Sequence, residues 1–423
     1  MAALLLAVAS CGSQAPPGPN VVLIVVDTLR PDHLPFHGYP KDTAPFLSRL
    51  AAEGVVFERA RSTSSWTAPG TASIVTSLHP VQHGVHKGLM AVRLLQRVDS
   101  SITVNRIPDA VTTVAEVLKD AGYSTWGLSD NLNIGYEENF NQGFDHFRTS
   151  NDAGAATVNA RLREWLPDME DAGPYFLYLH YMDPHRPYLK RAPWYKAGEG
   201  ELLDSIAAYD SEINYVDAKI RELFELLRWD DNTLVVVTSD HGEEFQEHGG
   251  WDHGRTLYDE VLDVPLVVYS STGPLVVGRF DEPVSVMDIL PTIRDYLGLP
   301  PGPAEQGSSL APAIRGEGRP PEGRSFFADL RSPPWFGSLT VKAVVRDDDK
   351  YVVTLPDTEE LYDLGADPGE QTSLLSERRV LADELRAELD AFEESCVRYG
   401  QESAEVELDE EALEKLEALG YVQ

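Results

Sequence analysis

The chain is short of cysteine and of basic residues, and each shortage narrows what it can be. Only two cysteines, Cys11 and Cys396, occur in 423 residues, so no disulfide framework is implied. Against 69 acidic residues stand 35 Lys and Arg, leaving a formal net charge of −34. Such a surface lacks the positive footprint that nucleic-acid binding needs, and no nucleic-acid partner is expected. It favours solubility, and it forces any anionic substrate to find its positive charge locally, where a metal would supply it. Long apolar runs are missing too: nothing beyond residue 20 approaches a transmembrane length. Gly and Pro are ordinary in number and the hydrophobic fraction is 42%, which is globular composition.

The apolar stretch over residues 2–9 is too short to span a bilayer but suits the core of an export signal. It ends in Val8-Ala9-Ser10-Cys11-Gly12, followed by a Pro/Gly/Gln-rich spacer. That box resembles a bacterial lipoprotein cleavage site, in which the cysteine becomes the lipidated N-terminus. No basic residue precedes Cys11. The expectation is an exported periplasmic or cell-surface lipoprotein, touching the membrane only through an anchor on Cys11. The oligomeric state stays open.

Strand and helix patterns then alternate. Strands are expected over 21–26, 55–59, 124–128, 175–180, 234–237 and 265–269. Helices are expected over 44–52, from Thr67 onward, and over 113–121, 162–165, 204–228 and 287–297. Within 204–228, Ile206, Tyr209, Ile213, Val216, Ile220, Leu223 and Leu227 recur at three-to-four spacing, the stripe of an amphipathic helix. Such alternation predicts an α/β fold with a mostly parallel sheet sandwiched between helices. Residues 299–324, dense in Pro and Gly, read as a linker or wrapping loop. Antiparallel strands over 325–329, 339–346 and 351–355 and helices over 376–398 and 410–419 predict a smaller C-terminal α+β unit. The expected divisions are 1–19, signal and spacer; 20–323, catalytic; and 324–423, the small unit.

Two apolar β-runs end in carboxylates: Val21-Val22-Leu23-Ile24-Val25-Val26-Asp27, and Thr233-Leu234-Val235-Val236-Val237-Thr238-Ser239-Asp240-His241-Gly242-Glu243. Residues just past parallel strand ends converge on one crevice, so Asp27, Asp240 and His241 are candidate metal ligands. A mixed oxygen and nitrogen set fits Zn or Mn, whereas Ca or Mg would want more oxygens; one divalent ion is expected, with Ca, Zn and Mn all kept. Thr67 should open a helix, where free N–H groups and the helix dipole favour an anion and a developing alkoxide. A hydroxyl that also touches a divalent ion is activated as a nucleophile. His180, Asp183 and His185 follow another strand. His248 and His253 follow the Asp-His pair. Lys87 and Arg255 are candidate anion contacts.

The order and content of these stretches resemble the sulfatase family of the alkaline phosphatase superfamily. The matching segments are Val26-Asp27-Thr28-Leu29-Arg30-Pro31-Asp32-His33, the helix start over 67–77, His83-Gly84-Val85, Leu179-His180-Tyr181-Met182-Asp183-Pro184-His185, Thr238-Ser239-Asp240-His241-Gly242-Glu243, and Leu361-Tyr362-Asp363-Leu364 with Asp367-Pro368. The resemblance implies metal-assisted hydrolysis of a small or polymeric anionic ester.

Three departures qualify it. Formylglycine sulfatases carry Cys or Ser followed by x-Pro-x-Arg; here the aligned residues are Thr67 and Thr71. The Gly-Lys-Trp-His stretch is replaced by Trp126-Gly127-Leu128-Ser129-Asp130-Asn131, and the second Asp of the usual pair is Thr28. A directly acting Thr resembles instead the phosphodiesterases, phosphonate-handling relatives and phosphoethanolamine transferases of the superfamily.

The expected mechanism places Thr67, Asp27, Asp240 and His241 around one ion, with Thr67 attacking in line to form a covalent threonyl ester. His185 would act on the ester oxygens or leaving group. His180, Asp183, Lys87, His253 and Arg255 would line the substrate side. A second metal would recruit Asp183 with His185 or His253. The alternatives are transfer of a phospho-alcohol group to a sugar or lipid, and a catalytically inactive surface binding protein on the same fold.

Overall fold

The computed structural model describes residues 18–400 except 90, 91, 94, 95, 97–102, 152, 172, 333–338 and 357. The lipoprotein box and the helix expected over 410–419 lie outside the described residues. β1 (Asn20–Val26) is buried at every position after Asn20, as a strand covered on both faces must be. β2 (Val55–Arg61), β3 (Ser124–Ser129), β4 (His146–Thr149), β5 (Tyr175–Tyr181) and β6 (Thr233–Thr238) follow. After a two-residue-per-strand hairpin, β7 (Glu244–Phe245) with β8 (Trp251–Asp252), come β9 (Asp263–Ser270), β10 (Gly278–Phe280) and β11 (Val284–Ser285).

The large sheet runs β10-β2-β9-β6-β1-β5-β3-β4, with β11 beside β2. Every neighbouring pair is parallel except those of β9, which opposes both β6 and β2. β1 lies between β5 and β6, with Val25 opposite His180 on one side and Thr238 on the other. The carboxyl ends of these three strands therefore open at one place.

Alternation along β1 divides the apolar core. Val21, Leu23 and Val25 join Ala68 and Ile74 of α2 (Thr67–Thr76), while Val22, Ile24 and Val26 join Leu47 and Leu50 of α1 (Pro45–Glu53). The Gly200–Leu226 helix lays Tyr209, Ile213, Val216, Ile220 and Leu223 into the second core, as their spacing predicts. Among the described residues, no helix is long and apolar enough to cross a membrane.

Asp210 on that long helix draws together His33 Nδ1 at 2.8 Å, the Tyr39 hydroxyl at 2.8 Å and Lys41 Nζ at 2.7 Å. Burial alone would raise its carboxyl, but these hydrogen bonds outweigh burial and hold it below the usual value. A carboxyl lowered on folding contributes stability above its unfolded pKa and loses it as pH falls through the folded one. Asp210→Asn is accordingly expected to destabilise the protein at pH 7 and to flatten the acid limb of urea-unfolding stability measured against pH.

The C-terminal unit is a meander of β12 (Ser325–Arg331), β13 (Thr340–Arg346), β14 (Asp349–Thr354) and β15 (Thr358–Asp363), all antiparallel. The Arg379–Ser395 helix covers one face through Ala382, Leu385 and Leu389. On the other face, Ala328, Leu330, Val341, Ala343 and Val352 meet Leu257 and Leu262, which precede β9 of the large sheet. At this seam Lys350 is fully buried, its Nζ 2.7 Å from Asp259 and 2.9 Å from Glu370. The Pro/Gly-rich segment wraps rather than spaces: Leu310 and Ile314 enter the main core, and Gln306 N–H bonds Ser77 O.

Candidate active site

Asp27 leaves β1 into a turn where Thr28 holds a positive φ of 57°, and its N–H is held by Tyr181 O at 2.9 Å. Ser239 stitches this turn to the loop after β6: its hydroxyl accepts Leu29 N–H and donates to His241 O. The helix that Thr67 opens docks by its main chain. Gly70 lies so close to the Asp240 carbonyl that a Cβ there would sit 2.5 Å from the oxygen.

The outcome is a single buried cluster. Thr67 Oγ1 is 3.2 Å from His241 Nε2 and 3.4 Å from Asp27 Oδ2. His241 Nε2 is 3.4 Å from Asp27 Oδ1 and 4.0 Å from Asp240 Oδ2. The four side chains expected to converge do so. His180 departs from expectation. Its Nε2 lies between the carboxylates, 3.7 Å from Asp27 and 3.5 Å from Asp240, and it is fully buried. It therefore belongs with the metal-type donors and not with the substrate side. The reason is register: His180 sits within β5 opposite Val25, two residues before Asp27, so both side chains leave the same face.

Asp27, His180 and Asp240 each offer a ligand atom within 4.8 Å of the others, which suits a divalent cation. Asp27 Oδ1 is buried and has no hydrogen-bond partner. Burial first, and the Asp240 carboxylate second, push the Asp27 carboxyl upward, as two confined like charges do when no cation balances them. His241 Nδ1 lies 2.8 Å from Gly242 O, so that nitrogen carries the hydrogen and Nε2 keeps its lone pair for the cluster. Two carboxylates and the His180 imidazole, with His241 beside them, fit such an ion. Thr71, where formylglycine sulfatases have Arg, donates its hydroxyl to Asp240 Oδ2 at 3.2 Å. Asn131, after β3, donates to Asp27 Oδ2 at 3.1 Å.

The remaining candidates divide. The His185 ring lies 4.9 Å from that of His253, and His253 lies 4.3 Å from His241, so these two extend the cluster outward. His253 Nδ1 meets Glu243 Oε1 at 2.9 Å. Lys87 is buried and Arg255 is exposed. Asp183, expected on the substrate side, is engaged elsewhere: it accepts Ala155 N–H at 2.9 Å, at the start of the Ala155–Asp171 helix, and pairs with Arg191 at 3.2 Å. A free helix N–H and a guanidinium claim both of its oxygens. His248 turns to the seam, 2.7 Å from Glu260 and stacked on Tyr258. Sequence reasoning did not single out Asn131 or Glu243 for a role, although Glu243 stands within the second carboxylate motif.

A sulfatase family model matches residues 19–299. Human arylsulfatase A is 27% identical over 452 residues, covering 88% of this chain and 86% of its own. A multifunctional alkaline phosphatase superfamily protein of Trinickia caryophylli is 26% identical, covering 72% of this chain and 79% of its own. The phosphonate monoester hydrolase of Agrobacterium radiobacter has the same fold, with a TM-score of 0.71 at 21% identity, over 93% of this chain and 98% of its own.

Proposed function

The chain belongs to the sulfatase family and is an ester hydrolase of that kind, and on that premise we propose that Thr67 is its direct nucleophile toward a sulfate or phosphate ester. The observation that carries this is the approach of Thr67 Oγ1 to His241 and Asp27 at the N-terminus of α2. A divalent ion held by Asp27, His180, Asp240 and His241 would supply Lewis acidity toward the ester oxygens and the Thr67 hydroxyl. Thr67 Oγ1 bonds to sulfur or phosphorus as the ester alcohol leaves, and water then cleaves the threonyl ester, releasing the inorganic anion and restoring the hydroxyl. Unpaired N–H groups of the first turn of α2 stabilise charge on the transferred group. His185 and His253 contact the ester oxygens or the leaving group, and Lys87 and Arg255 add positive charge against the acidic background.

The threonine favours phosphate chemistry slightly over sulfate. It also keeps open a transferase, in which a sugar or lipid hydroxyl resolves the same threonyl ester. Export and anchoring through Cys11 complete the proposal, with the catalytic part over 20–323 and the small unit over 324–423.

The test combines metal analysis with turnover of aryl sulfate, aryl phosphate and phosphodiester substrates. Dialysis against a chelator is expected to abolish turnover, and Zn, Mn or Ca to restore it. Full activity in metal-free protein would overturn the proposal.

A further inference from the structure

Glu243 has no part in the chemistry above, yet it is fully buried and aimed at a residue that has. Its Oε1 lies 2.9 Å from Nδ1 of His253, itself 7% exposed. As a carboxylate Glu243 only accepts, so in that state His253 Nδ1 carries the hydrogen and the lone pair falls on Nε2, at the other end of the ring. The ring is confined from the other side as well. Trp66 packs 5.5 Å from it, and Gly254, at φ +76°, leaves no room for a Cβ, which would meet Trp66 at 2.4 Å. His241 and His185 flank it at 4.3 and 4.9 Å.

We propose that Glu243 is a positioning residue for the reaction: it fixes the ring angle and tautomer of His253, so that Nε2 presents an acceptor to an O–H near the ester. That O–H belongs to the hydrolytic water or to the alcohol. The assignment rests on the hydrolase reading of the same site. It accounts for a buried acid that neither the metal donors nor the fold's ion pairs at the seam employ.

Glu243→Gln keeps the volume but allows an amide N–H to face Nδ1, which selects the wrong tautomer. The holoprotein is expected to lose about 10- to 100-fold in kcat with KM and metal content unchanged, the range typical of groups that orient a site histidine. In a His253→Ala background the same substitution is expected to cost less than about twofold, because the partner through which it acts is gone. An equal loss in both backgrounds, or no loss in the first, overturns the proposal. A second measurement does not depend on turnover. Nitrogen-15 NMR of histidine-labelled protein should show His253 protonated on Nδ1 in the wild type and on Nε2 in Glu243→Gln. Hydrogen on Nε2 in the wild type also overturns it. Should no ester be hydrolysed, the hydrolase reading fails while the NMR result still decides the Glu243–His253 link.

Discussion

Thr67→Ala is expected to remove turnover by on the order of 10⁴-fold or more, the scale seen when a covalent nucleophile is deleted from an otherwise intact site. The substitution takes away one hydroxyl and one methyl at the start of α2. It leaves Asp27, His180, Asp240 and His241 in place, so bound metal and melting behaviour should match the wild type. Thr67→Ser keeps the hydroxyl and should retain measurable rate. Slow substrates should leave a sulfuryl or phosphoryl group on the peptide containing Thr67, detectable by mass spectrometry, and none on the alanine variant. If Thr67→Ala keeps even a tenth of wild-type kcat, the hydroxyl is not the nucleophile, and an attacking water takes its place.

The largest stability effect is expected at the seam between the two sheets. Lys350 is fully buried and ion-paired with Asp259 and Glu370, while Arg61 reaches Asp259 at 3.1 Å and Asp263 at 3.2 Å. Burial alone would lower the Lys350 ammonium, but the two carboxylates overcome it and hold the group charged. Lys350→Met keeps most of the volume and strands the carboxylates in a desolvated place. Breaking a buried pair from one side costs about 3–5 kcal/mol, a large share of a typical domain's stability. Combining it with Glu370→Gln should recover much of that loss, because the amide oxygen can still accept the Asp259 N–H that Glu370 holds at 2.6 Å. Urea titrations of the single and double variants check both statements. A single variant within 1 kcal/mol of wild type would mean that apolar contacts such as Leu257 and Leu262 with Leu330 carry the seam without help.

The chemistry of the site was readable wherever a ligand follows its own strand. Asp27 and Asp240 stand at the ends of apolar runs, and a parallel sheet leaves such residues little choice of destination. Thr67 opens α2, where the sequence places a helix start. His180 was read as a substrate contact because its role depends on β5 lying beside β1 with Val25 opposite, and register between distant strands is not written in either strand. Asp183 failed for a similar reason, since its true partners, Ala155 N–H and Arg191, lie on elements whose approach only the folded chain defines. The direction of β9 escaped as well: an apolar run buried on both faces has the same pattern whichever way it points. β15 was missed as a strand because Glu359 and Glu360 interrupt any simple alternation, yet it completes the meander against β14.

The approach of Gly70 to the Asp240 carbonyl has a consequence for how such a protein can change over time. The span between Thr67 and the carboxylates is set in part by two stretches of backbone in close approach. Position 67 can therefore be rewritten, as can position 71, with the working gap held constant. Glycine at 70 is a letter in that helix on which the spacing itself depends, because any side chain there would meet the Asp240 carbonyl.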